Sequence, residues 1–101
     1  MGYSLSVKAE EDIVYIYRSM EQFGLYQADR YHQRLERCFQ FLADSALAAP
    51  ERVEITPPVR IHPVEAHLVV YRVDDDGNVF IIRVRHGHED WQAFAEMEPV
   101  G

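Results

Sequence analysis

Two apolar runs, Leu68–Val73 and Val79–Val84, flank the short polar stretch Asp74-Asp75-Asp76-Gly77-Asn78. Both runs are rich in Val, Ile, Tyr and Phe, the side chains that suit a pleated, half-buried surface. Gly77 and Asn78 tolerate positive φ, so the pattern predicts a β-hairpin. Alternation assigns Leu68, Val70, Phe80, Ile82 and Val84 to one face, expected to lie under helices. Val69, Tyr71, Ile81, Arg83 and Arg85 fall on the other face. A one-residue slip would exchange the two sets.

Upstream the period changes. Tyr3–Leu5 reads as a short first strand, and Ser6 as a helix N-cap whose hydroxyl accepts from the first turn. Glu10, Glu11 and Asp12 follow where carboxylates suit the positive end of a helix. Ala9, Ile13, Ile16, Tyr17, Met20 and Phe23 recur at three and four, predicting a helix over about Val7 to Phe23, stopped by Gly24. Ala28, Tyr31, Leu35, Cys38 and Leu42 repeat the pattern over about Leu25 to Asp44, giving a helical hairpin. Pro50, Pro57 and Pro58 mark Ala46 to Pro58 as a connector. Val59–His62 reads as a strand stopped by Pro63, and Asp90 as the cap of a final helix holding Trp91, Phe94 and Met97. The expected order is β-α-α-β-β-β. This is an α+β fold with the helical hairpin packed on one face of a small, mainly antiparallel sheet.

The 101 residues fit a single domain, 1–101, with one core. No apolar run is long enough to span a bilayer, and the N-terminus lacks a basic region followed by an apolar core. With one cysteine, Cys38, the chain is expected in a reducing cytoplasm. The net charge of −7 and the single lysine, Lys8, argue against general nucleic-acid binding, which depends on Lys and Arg displacing counterions. His86, His88 and Asp90 recur with period two, as metal ligands can, but Gly87 interrupts the strand geometry this would need. No metal site is expected.

The segments LSVKAEEDI at Leu5–Ile13 and RIHPVEAHLVVYRVDDDGNVFIIRVRHGHEDW at Arg60–Trp91, joined by the helical hairpin, resemble the ParE toxins of the RelE/ParE superfamily. The resemblance implies a toxin of a bacterial type II toxin–antitoxin pair. Such a toxin inhibits DNA gyrase by binding, is neutralised by a ParD-like antitoxin in a hetero-oligomer, and needs no cofactor. On this reading the target-binding candidates are Arg83, Arg85, His86, His88 and Trp91. The antitoxin-binding candidates are Tyr17, Tyr31, Tyr71 and Arg72. The bland alternative for Arg83 and Arg85 is pairing with the chain's many acids. Cys38, Tyr17, Tyr31 and Phe39 are core residues in the corresponding reading.

Two other functions compete. A RelE-like, ribosome-dependent mRNA endonuclease needs proton-transfer groups, for which His86 or His88 would serve, and cations for the developing phosphorane charge. Over Val59–Trp91, however, Arg60, Arg72, Arg83 and Arg85 are outnumbered by Glu65, Asp74, Asp75, Asp76, Glu89 and Asp90. That balance is a poor funnel for RNA. A non-toxic module that only binds an antitoxin is the third reading.

Overall fold

The computed structural model describes residues 2–87. Strand β1 (Tyr3–Leu5) leads into helix α1 (Val7–Met20), a single 3-10 turn over Glu21–Phe23 and helix α2 (Leu25–Asp44). Strands β2 (Glu51–Arg52), β3 (Val59–Val64), β4 (His67–Val73) and β5 (Val79–His86) follow. The sheet order is β1-β5-β4-β3-β2, with β1 parallel to β5 and the remaining pairs antiparallel. The expected α+β architecture is therefore the one formed. The C-terminal helix read at Asp90 to Met97 lies outside the described residues.

Ser6 caps α1 as its sequence position indicates, accepting from Ala9 N at 2.9 Å. The first helix ends earlier than its apolar spacing suggests. Its last turn tightens to 3-10 geometry before Gly24, whose φ of 101° only glycine adopts readily. The connector contains the two-residue strand β2, which apolar periodicity could not reveal because both Glu51 and Arg52 are exposed. Strand β3 continues through Pro63 to Val64. Past β2, β3 pairs on one side only, with Pro63 opposite Leu68, and an edge strand tolerates a residue that lacks an amide proton. The β4–β5 turn is held by Asp74, whose carboxylate accepts from Asp76 N and Asn78 N at 2.9 Å each. Gly77 takes the positive φ there, at 83°.

The sheet's faces correct the predicted alternation. Val69, Tyr71, Val79 and Ile81 pack with Ala9, Ile16, Leu35, Phe39 and Leu42 under the helices. Val70 and Ile82, with Phe80 against them, form a second cluster with Ile55 and Val59 on the opposite face. Both faces are covered, so apolar residues occupy both alternation sets and hydrophobicity alone could not choose between them. Val84 nevertheless lies on the helix side, as predicted, although Ile82 does not. A register shift between Val70 and Tyr71 explains this. Arg83 opposes Val70 and Ile81 opposes Tyr71, so Ile82 is the extra residue of a bulge.

One buried ion pair ties α1 to this bulge. Asp12 and Arg83 are 7% and 6% exposed. Arg83 Nε and Nη2 donate to Asp12 Oδ2 and Oδ1 at 2.8 and 3.0 Å, a bidentate fork. Val84 N and Arg85 Nη1 also donate to the same carboxylate, at 3.0 and 3.1 Å. Cys38 is buried on α2, with its Sγ 3.7 Å from His62 Nδ1. Burial pushes the thiol up to about 11.

Two outcomes follow from this packing. Asp12→Ala leaves the Arg83 guanidinium buried without its carboxylate and is expected to destabilise the fold by about 3–5 kcal/mol, read from urea unfolding. The Cys38 thiol is neutral in the folded state at a pH where the unfolded chain has already ionised it. Its contribution is complete below its ordinary value near 9 and is lost as pH rises through about 11. Burial raises Tyr31 and Tyr71 in the same direction. The urea midpoint is expected to fall across that interval, and Cys38→Ala to flatten part of the fall.

Candidate functional site

An open groove of about 650 Å³ lies at the end of the sheet where β4 begins and β5 finishes. Helix α1 presents Tyr15, Ile16, Ser19 and Met20 to it, and the 3-10 turn adds Phe23. The facing wall is the β3–β4 turn, Glu65 and Ala66, with His67. Val84, Arg85 and His86 of β5 lie between, and Tyr31 reaches in from α2. Much of the surface is apolar, and its rim carries the exposed aromatics Tyr15 and Phe23. A concave apolar site with a few convergent polar groups is the usual form of a binding site.

The polar groups converge at one end. Tyr31 Oη lies 2.5 Å from His67 Nδ1 and accepts from Ala66 N at 3.3 Å. His67 sits directly opposite His86 in the β4–β5 ladder, with ring centroids 5.4 Å apart. Burial raises the Tyr31 phenol above its ordinary value, so it keeps its proton near neutral pH. The phenol donates where Nδ1 is bare and accepts where Nδ1 carries a proton, so the direction of this bond follows the His67 tautomer. The β3–β4 turn is also held by an ion pair at 2.9 Å between Arg34 of α2 and Glu65, whose φ is 53°. Both walls of the groove are thus set by long-range contacts.

The candidate residues do not all meet here. Arg85, His86 and Tyr31 line the groove together, although the sequence reading divided them between two partners. Arg83 does not point to an outer surface, because the bulge and Asp12 hold it in the interior. This is the acid pairing that competed with a contact role in the sequence. Tyr71 is fully buried and donates to Ala46 O at 2.8 Å, so it is a core residue that presents no surface to a partner.

Arg72 lies against Phe80 on the sheet face away from the helices, its guanidinium carbon 5.4 Å from the ring centroid. Its Nε has no hydrogen-bond partner among the described residues. Tyr17 bridges the helical hairpin, donating to Asp29 Oδ1 at 2.6 Å, a bond that raises the phenol. It lines a separate shallow depression with Ile13, Val14 and His32. His88 and Trp91 lie outside the described residues, as does Asp90 of the three-residue metal pattern. Among the described residues no three His, Cys, Asp or Glu side chains converge.

His67 escaped the sequence reading, and Asp12, read there as a carboxylate at the positive end of α1, is instead buried against Arg83. Asp12 was legible in principle, since it lies three residues after Ala9 and four before Ile16, inside the apolar stripe of α1. An acid at such a position needs a buried cation. His67 was not legible, because only the bulged register brings it opposite His86.

A family model described as the ParE toxin of type II toxin–antitoxin system, parDE, matches residues 3–91. A solved structure of the chromosomal ParDE TA system from P. aeruginosa has a TM-score of 0.72 to this chain at 22% sequence identity. The alignment covers 85% of this chain and 95% of that one, and at this identity the likeness is one of fold. Comparison with curated protein sequences gives no match. The family match spans both helices and all five strands, and the chain belongs to the ParE toxin family of type II toxin–antitoxin systems.

Proposed function

We propose that this chain is the toxin of a bacterial toxin–antitoxin pair, that it acts in the cytoplasm by binding DNA gyrase without turnover, and that a ParD-like antitoxin neutralises it. The observation that carries the proposal is the gathering of Tyr31, Arg85 and His86 in one groove, in a chain whose family match runs over residues 3–91. Residues expected at the target and at the antitoxin share one surface. A partner seated there would occlude the other, which is a physical route to neutralisation.

The groove suits a protein partner better than a polyanion. Ile16, Met20, Phe23 and Val84 offer apolar contact, and an exposed aromatic such as Phe23 is the kind of side chain a partner buries as an anchor. The net charge of −7 disfavours approach to a phosphate backbone. In this reading gyrase is engaged through its protein surface. Arg85 keeps 23% of its side chain exposed while Asp12 fixes its position, so its charge is presented in a pre-set geometry.

An RNA-cleaving reading has one observation in its favour, the Tyr31–His67–His86 group beside Arg85. Such a set holds proton-transfer groups and a cation within one groove. Ribosome-dependent cleavage of mRNA by purified protein, lost in His67→Ala, would establish it in place of binding. Expression without growth arrest would instead favour a non-toxic antitoxin-binding module.

Three outcomes test the binding proposal. In a supercoiling assay with purified gyrase, the protein is expected to inhibit and to trap cleaved DNA. Arg85→Ala is expected to weaken that inhibition by about tenfold, the effect of a typical interface anchor, while Arg72→Ala on the far face leaves it within about twofold. Titration calorimetry with a ParD-like antitoxin is expected to show Phe23→Ala binding at least about tenfold more weakly than wild type. No inhibition by folded protein in large excess would remove gyrase as the target.

A further inference from the structure

Strand β1 follows β5 only to Leu5, after which Ser6 N still donates to Ile81 O at 2.9 Å. Side chains of the α1 N-cap and of α1 itself then continue the ladder. Ser6 Oγ donates to Ile82 O at 2.6 Å, and Asp12 Oδ2 accepts from Val84 N at 3.0 Å. One donor and one acceptor thus meet the backbone groups that a further strand residue would have met. We propose that the first turns of α1 serve as a surrogate strand, closing the outer edge of β5 to backbone pairing by another polypeptide.

The physical need is clear. An edge with unpaired N–H and C=O groups is a template for another chain, and proteins protect such edges by bulges, charges or covering elements. Here three such features coincide. The bulge at Ile82 breaks the regular spacing of the edge. A carboxylate occupies the Val84 amide. The Arg83 fork holds that carboxylate in place, so it cannot swing away without breaking two charge-assisted hydrogen bonds in the interior. A neutral acceptor with one oxygen could not serve the amide and the fork equally. The buried charge pair is therefore the lock on the edge.

The opposite side of the sheet is guarded in a different way. Strand β2 covers β3 only at Val59 and Arg60, and Pro63 then removes a donor from the remaining edge. An extended segment pairing along β3 must accept that interrupted edge, one pairing with β5 beyond Leu5 must displace Asp12, and the outer side of the three-residue β1 is the short edge that remains. Partners that use the helical faces and the groove meet no such obstacle.

Native-state hydrogen exchange on the unmodified protein is the first test. The Val84 amide is expected to exchange as slowly as Val69 and Val70 within the β4 ladder. Exchange at the rate of an unpaired amide would overturn the proposal. The second test is Asp12→Leu/Arg83→Met, which removes both charges together and keeps apolar volume. In the folded variant Val84 exchange is expected to accelerate by at least about tenfold relative to Val70, with concentration-dependent self-association in sedimentation velocity beyond that of wild type. Unchanged exchange, or faster exchange without added association, would overturn the sealing role. Asp12→Asn serves where the double variant does not fold, with the same two readouts and smaller expected changes.

Discussion

The carboxylate of Asp12 is the point on which this structure turns. It accepts from the backbone of β5, from both arms of the Arg83 fork and from Arg85. A charge pair in so dry a place is a weak source of net stability, because desolvation offsets much of the attraction. Its value is in specification. The bulge at Ile82, the placing of Arg85 at the groove and the seating of α1 along β5 all refer to one pair of oxygens. Apolar packing alone would allow α1 to slide or rotate over the sheet at modest cost, and a fork with defined geometry does not.

Most of the fold was legible in the sequence because its elements are locally consistent. Ser6, Gly24 and the Asp74–Asn78 turn each carry the chemistry their positions require, and the helix stripes match their period. The sheet's faces were harder to read. In β4 and β5 apolar residues fill both alternation sets, because Ile55 of the connector packs with Val59, Val70 and Ile82 on the face that the helices leave. The bulge then changed the parity partway along β5, moving Val84 to the helix side while Ile82 stayed on the other. No local feature of Ile81-Ile82-Arg83 announces an extra residue. The signal was on α1, seventy residues away in sequence, as an acid within an apolar stripe.

The candidate site was legible only in part for the same reason. Arg85, His86 and Tyr31 were visible as residue types, and their convergence depends on pairing between distant segments. His67 became a neighbour of Tyr31 and His86 through the turn at Glu65 and the shifted register. Tyr71 and Arg83 show the reverse error. Both have side chains that often serve surfaces, and both were drawn inward by a specific polar partner, Ala46 O in one case and Asp12 in the other. A polar group on a strand with two covered faces is as often a satisfied interior group as a contact.

The two ends of the β4–β5 hairpin are built on different principles. At the groove end, order comes from α1, α2 and the β3–β4 turn together. At the other end, the Asp74–Asn78 turn closes on its own side chain and backbone, with Gly77 N donating to Asp74 O at 3.0 Å. Local closure of that kind survives changes elsewhere and in turn transmits little to them. The acidic turn is therefore the natural place to attach a fluorophore, an affinity tag or an inserted loop, since the strands run their full length between it and the groove.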